Sequence, residues 1–318
     1  RAGVDQILDG VEFTQLKQAA DILSRRYRAE LRDGAFHLDA HRAIEAYLAT
    51  RLPATYAAIR TSFEAVAIAR PEFQPRSLLD VGAGPGSALW AAADCWSVLD
   101  SATLIEASDA ARQAGARLLA AAPLRAEWIA ADVVKGLLDI APADLVSLGY
   151  VLDELAPEQR PRLIARLWEL TRGTLIIVEP GTPAGWRRIL AARAQLIEAN
   201  AHIVAPCAHA QACPIIEPDW CHFSRRVARA RIHRLTKQGD APWEDEKYIF
   251  IAASRAAASE RSARVLAPPR RATGRTELKL CLQSGAVEER LVTRRDGDAF
   301  KAARRVDWGD AISIANSA

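Results

Sequence analysis

Ile7, Leu8, Val11, Phe13 and Leu16, then Ile44, Tyr47, Leu48 and Leu52, recur at the three- and four-residue spacing of a helix face. Residues 1–70 therefore read as a helical region, with Pro53 and Pro71-Glu-Phe-Gln-Pro75 punctuating its end. From Ser77 the pattern changes to short apolar runs alternating with amphipathic stretches, the signature of a parallel sheet with helices on both faces. "SLLDVGAGPGSALW", "ATLIEAS", "WIAADV", "ADLVSLGYVLDEL" and "GTLIIVEPGTPAG" supply five strands in chain order, and "KYIFIAASR" a late one. The expected fold is α/β, a doubly wound sheet over 71–255 interrupted by a cysteine-rich insertion at about 200–247. Residues 256–274 read as a linker ending in Pro268-Pro269. Residues 275–318 read as a small basic antiparallel β module with turns at Ser284-Gly285 and Asp296-Gly297.

Half of the 318 residues are apolar and a quarter charged, the balance of a globular chain. No apolar run reaches the roughly 18 residues of a bilayer span, so no membrane role is expected. The chain opens on Arg1, lacks methionine and shows no signal peptide, so its true N-terminus is expected upstream. Five cysteines, an odd number, favour a reducing compartment and disfavour disulfides. A monomer is the expected state. The net charge is only +3, yet from Cys221 to Arg305 about twenty Lys and Arg face about ten Asp and Glu, a bias that points to a polyanionic partner.

Gly82, Gly84 and Gly86 let the backbone turn tightly between the first strand and its helix and approach a ligand closely. Glu106 ends the second strand, where a carboxylate can accept from both hydroxyls of a ribose, and Asp132 ends the third. The spacing is not the dinucleotide fingerprint, and no second nucleotide-binding half follows. "LDVGAGPG" with Glu106 and Asp132 resembles the class I S-adenosylmethionine-dependent methyltransferases over about residues 77–255, a Rossmann-like fold. The resemblance implies that Asp80, Gly82 and Gly84, with Gly86 in the same loop, hold the methionine end of the cofactor. It likewise places Glu106 on the ribose and Asp132 near the adenine amine. The acceptor chemistry is not legible. After the fourth strand stands Ser147-Leu-Gly-Tyr150, without the Asn/Asp-Pro-Pro-aromatic motif of exocyclic-amine methylation or a cysteine nucleophile. Tyr150, Asp153 and Glu154 are the polar candidates there, and each could instead cap the helix that follows. Cys95 reads as a buried small side chain.

"CAHAQACPIIEPDWCHF" carries Cys207, Cys213 and Cys221 at a spacing unlike paired zinc knuckles, in a stretch made irregular by Pro206, Pro214 and Pro218. A fourth ligand is available in "TELKLCLQSG": alternation sets Cys281 on the face opposite Leu278, Leu280 and Leu282. Four-thiol binding of a metal, zinc with His209 or His222 replacing one cysteine, and idle buried thiols all remain open on the residues alone. "HFSRRVARARIHRLTK" reads as a helix crowded with Arg225, Arg226, Arg229, Arg231 and Arg234, with Lys237 beyond, suited to phosphate oxygens. Its competing reading is a solvated face paired with Asp240, Glu244, Asp245 and Glu246.

"DWCHFS", "EDEKY", "EPGTPAG" and "LKLC" resemble the mitochondrial small-ribosomal-subunit assembly methyltransferase-like family and its bacterial relatives over nearly the whole chain. That resemblance implies a [4Fe–4S] cluster on Cys207, Cys213, Cys221 and Cys281, with zinc the alternative, and binding of ribosomal RNA in the maturing small subunit. It also implies a bacterial cytoplasm or a mitochondrial matrix. Three functions compete: an rRNA methyltransferase, a non-catalytic iron–sulfur assembly factor, and a methyltransferase for a protein or small molecule. The expectation is an S-adenosylmethionine-binding, methyltransferase-like protein of the small subunit.

Overall fold

The computed structural model describes residues 2–29, 38, 40–120, 124–133, 137, 139–237, 241–259 and 262–313. Four helices come first, α1 (Ala2–Leu8), α2 (Phe13–Ala29), α3 (His41–Thr50) and α4 (Leu52–Ala69). Leu8, Leu16, Leu23, Ile44 and Leu48 bury their shared face, as the helical spacing predicts. Pro53 does not end this region: it lies in the first turn of α4, where its missing N–H has no intrahelical partner to lose.

Then β1 (Ser77–Val81), α5 (Ser87–Cys95), β2 (Ser101–Ile105), α6 (Asp109–Leu119), β3 (Arg125–Ile129), β4 (Ala143–Gly149), α7 (Arg160–Glu169) and β5 (Thr171–Pro180) alternate. Next come α8 (Pro183–Glu198), β6 (His202–Ala205), β7 (Phe223–Ala228), α9 (Arg231–Lys237) and β8 (Trp243–Ser254). The eight strands form one sheet in the order β3-β2-β1-β4-β5-β8-β6, with β7 also on β8. The first five are parallel, and β8 runs antiparallel beside β5. This is the class I methyltransferase arrangement, Rossmann-like and doubly wound. The central strands β1, β4 and β5 are mostly buried along their length because helices cover both faces, whereas β3 and β7 are mostly half-buried or exposed. Side chains cap the starts of several helices: Glu12 accepts from the Thr14 and Gln15 N–H groups at α2, Ser108 from Ala111 N–H at α6, and Thr182 from Gly185 N–H at α8.

One edge of β8 is shared. β6 pairs with its Ala252–Ser254 end and β7 with its Trp243–Tyr248 end. The cysteine loop leaves the sheet between them. The expected helix from His222 is therefore a strand and a shorter helix. Arg225 lies opposite Glu246, Arg226 opposite Asp245 and Val227 opposite Glu244, and this cross-strand match of charge outweighs the helical spacing.

A second sheet contains β9 (Ala263–Val265), β10 (Arg270–Ala272), β11 (Arg275–Cys281), β12 (Val287–Thr293) and β13 (Ala311–Ile312), with α10 (Asp298–Ala303) against it. The stretch expected as a linker holds two of these strands, each only three residues long and too short to show alternation. Val265, Leu278, Leu280 and Val292 form its core.

Candidate functional site

At the topological switch between β1 and β4, where α/β sheets bind ligands, the chain turns on three glycines. Gly82, Gly84 and Gly86 have φ of 70°, 53° and 92°. A Cβ on Gly82 would stand 2.4 Å from a Val151 methyl, so the cradle depends on its absence. Glu106 fixes the loop from the neighbouring strand end: its two carboxylate oxygens accept from the N–H groups of Gly84 (2.7 Å) and Ser108 (2.8 Å). Burial nevertheless raises its pKa. Asp80, 2 % exposed, accepts from the Ser147 hydroxyl at 2.7 Å, and burial pushes its carboxyl up to about 7.

Asp80, Gly82, Gly84, Glu106 and Asp132 line one pocket of ≈ 110 Å³. Gly86 is outside that lining; it precedes α5 and packs near Trp128. Tyr150 joins the pocket with φ of 60°, and its hydroxyl donates to Glu246 Oε1 at 3.2 Å. Burial and the Glu246 charge raise its pKa well above the usual phenol value, so it stays neutral. Asp153 is buried and not in the pocket lining. Helix α7 begins only at Arg160, so neither Tyr150, Asp153 nor Glu154 caps it.

The pocket also takes residues that the sequence reading missed. Tyr27, Tyr47 and Arg51 reach it from the helical region. Arg51 donates to Glu246 Oε1 at 3.4 Å and lies 5.8 Å from the Tyr27 ring centroid. Glu154 also lines it, and burial with the nearby Asp153 charge pushes its carboxyl up to about 8, so it is protonated at neutral pH. Helical periodicity marks which face of α3 is buried but cannot show that its end meets a strand two hundred residues later.

The second site lies against α8, at Trp186, Ile189 and Arg193. Cys207, Cys213, Cys221 and Cys281 are all free of disulfides and line one cavity of ≈ 40 Å³ with His209, Arg193 and Arg264. Alternation along β11 holds: Leu278 and Leu280 enter the second core and Cys281 faces the cavity. Cys281 Sγ is 3.4 Å from His209 Nε2. His222 is outside the lining, between Trp220 (5.0 Å) and Trp308 (4.8 Å). Cys95 lies apart on α5, its thiol pushed up to about 12 by burial.

Among the described residues no group of three or more His, Cys, Asp or Glu is gathered closely enough to hold a metal ion. The expected four-ligand set is thus a shared cavity rather than a closed shell. Burial, followed by repulsion from Cys207, Cys213 and Cys281, raises the Cys221 thiol well above its usual range, and burial first likewise raises Cys207. Thiols in the protonated form have no attraction that would draw them onto one point. The donor chemistry itself, four soft sulfurs around one cavity, fits a zinc ion or an iron–sulfur group.

Of the basic cluster, Arg225 and Arg226 lie on β7, Arg229 on the turn, and Arg231 and Arg234 on α9. Arg226 forms a forked pair with Asp245 (2.8 and 3.1 Å) and lies 5.3 Å from the Trp243 ring; Arg229 pairs with Glu244 at 3.3 Å. Arg225, Arg231 and Arg234 are exposed. Asp240 falls outside the described residues.

The human "Ribosome assembly protein METTL17, mitochondrial" is 27% identical over 84% of this chain and 62% of its own length. The fission yeast "Rsm22-cox11 tandem protein 2, mitochondrial" is 21% identical over 85% of this chain and 43% of its own. The chain thus spans about half to three-fifths of the curated relatives that it matches. Among solved structures, an O-methyltransferase family protein from Burkholderia thailandensis aligns with 78% of this chain and 72% of its own at a TM-score of 0.46 and 14% identity. The family described as "Mitochondrial small ribosomal subunit Rsm22" matches residues 41–313, and the chain belongs to that family.

Proposed function

We propose that this chain binds S-adenosylmethionine at the glycine loop and acts in assembly of the small ribosomal subunit, contacting ribosomal RNA. The observation that carries the reading is a pocket lined by Asp80, Gly82, Gly84, Glu106 and Asp132 inside a chain whose family is described by the mitochondrial small ribosomal subunit. Gly82 and Gly84 admit the methionine end, Glu106 would hold the ribose hydroxyls, and Asp132 lies where an adenine amine can donate. Both named relatives are mitochondrial, which supports a matrix location for a eukaryotic chain. Among the described residues no helix is long and apolar enough to cross a membrane.

Bound S-adenosylmethionine supplies an electrophilic methyl group. Methyl transfer to ribosomal RNA is then the reaction of this pocket, with Glu154, protonated and in the pocket lining, able to donate a hydrogen bond to an acceptor. One observation favours a second reading, assembly without transfer: Tyr150 is a neutral phenol tied to Glu246, and Asp153 is buried outside the pocket. Cys207, Cys213, Cys221 and Cys281 would hold a [4Fe–4S] cluster, or zinc in the alternative, and the exposed Arg225, Arg231 and Arg234 would meet RNA phosphates.

The test offers labelled S-adenosylmethionine to small-subunit RNA from cells lacking the protein, with Glu106→Ala as control. Label above the control establishes transfer. Cofactor binding without label on any assembly intermediate leaves the assembly reading, and absence of cofactor binding removes the methyltransferase reading and leaves assembly without the cofactor.

A further inference from the structure

Two arginines are buried at the thiol cavity with nothing acidic beside them. Arg193 on α8 and Arg264 on β9 are 5 % and 7 % exposed. Arg193 Nη2 donates to the carbonyls of His209 (2.9 Å) and Gln211 (2.7 Å), and its buried Nε has no hydrogen-bond acceptor. Arg264 donates to the carbonyls of Pro206 (2.8 Å) and Gly309 (2.8 Å). Among the described residues neither makes an ion pair with a carboxylate; the Asp310 charge acts on Arg264 less than those of Cys207 and Cys221 do. The cavity lining contains four cysteines, His209 and these two arginines, and no Asp or Glu.

A buried guanidinium without a counter-charge is strongly unfavourable, and an arginine cannot shed its proton to escape. The sulfurs are the only groups in the lining that can become anionic. Both guanidinium side chains line the same cavity as those four sulfurs.

We propose that Arg193 and Arg264 are the built-in countercharges of a four-thiolate centre, which makes the cavity selective for a metal group whose own charge is +2. Four thiolates carry −4 and the two guanidinium groups +2, so a group of +2 makes the buried site neutral. A divalent zinc ion satisfies this balance, and so does an oxidised [4Fe–4S] core. The proposal rests on the thiol-bound metal reading above. It adds that each arginine acts through its charge and not merely by tying the cysteine loop through carbonyls. In an iron–sulfur form the same charges favour the one-electron-reduced state.

Gln and Lys variants separate charge from hydrogen bonding. Gln keeps a donor and loses the charge, whereas Lys keeps both in part. Full-length Arg264→Gln, Arg193→Gln and the matching Lys variants are purified without oxygen. Iron, zinc and acid-labile sulfide per chain are then measured, together with metal retention against a chelator. Expected are a loss of roughly ten- to hundredfold in metal affinity for each Gln variant and near-native retention for Lys. If the group is iron–sulfur, the Gln variants reduce at a lower potential. Gln variants that retain metal like the native chain, or Lys variants that lose as much as Gln, overturn the proposal alone. A native chain with neither metal nor sulfide overturns it together with the metal reading. The arginines sit on different elements, so if one Gln variant fails to melt cooperatively, the other carries the same test.

Discussion

The two sites on this sheet are built in opposite ways. The glycine-loop pocket is made by backbone: Glu106 holds the N–H groups of Gly84 and Ser108, while the Gly82 and Ala83 N–H groups bond Ile105 O at 2.9 and 3.0 Å. Its shape is in place whatever occupies it. The thiol cavity is made by side chains from the 206–221 loop, α8, β9 and β11, elements far apart in sequence. Its sulfurs do not converge by themselves. A pocket fixed by main chain is ready for a ligand that comes and goes, whereas one fixed by side-chain charge needs its occupant in order to close.

Helix α8 lines the thiol cavity and is tied to the segment beside the glycine-loop pocket. Arg188 forms a buried ion pair with Glu179 (2.6 Å), whose other oxygen accepts from Leu152 N–H in the segment after Tyr150. Arg193, less than two turns on, faces the thiols. The largest effect is therefore expected from Arg188→Leu, which strands a buried carboxylate: a loss of about 3–5 kcal/mol in denaturant unfolding, with both cofactor binding and metal content falling. A loss confined to one site would break the idea that α8 joins them.

Next is the pH dependence carried by Asp80. Its folded pKa, about 7, lies above the ordinary aspartate value of 3.8, so between these values the folded state holds the proton that the unfolded state releases. Stability of the cofactor-free chain is therefore present in full below about pH 4 and falls as pH rises toward 7, by up to about 1.4 kcal/mol per pH unit. Asp80→Asn should flatten that slope in unfolding midpoints measured from pH 4 to 8, and an unchanged slope would place the titrating group elsewhere, Glu154 first. Smallest is Gly82→Ala. Strain at φ of 70° and the clash with Val151 should cost about 1–3 kcal/mol, read as weaker S-adenosylmethionine binding by calorimetry. Metal content should be unaffected, and a parallel loss of metal would mean that the two sites are not independently built.

The same difference governed what the sequence could disclose. Asp80, Gly82, Gly84 and Glu106 stand within one strand–turn–helix–strand unit, so a local pattern predicts their convergence. Cys281 was also within reach, because alternation in β11 places it opposite the leucines. The strand β7 was not: its state is set by Glu244, Asp245 and Glu246 across the ladder, a pairing that periodicity within "SRRVARARIHR" does not contain. Arg51, Arg193 and Arg264 were missed for a related reason. Each sits in an ordinary amphipathic or short apolar stretch, and only the folded neighbourhood reveals that Arg193 and Arg264 are buried and that Arg51 reaches the cofactor pocket.

The shared edge of β8 has a bearing on how such a chain can change over time. Since β6 and β7 abut successive parts of one strand, the loop between them can lengthen, shorten or exchange its ligands without shifting the register of any other strand. The cysteine-bearing loop is in that sense an accessory joined to one continuous strand edge. Insertions and deletions among relatives should gather between the cysteines of that loop, with the cysteines themselves, β8 and its partners under the stricter constraint.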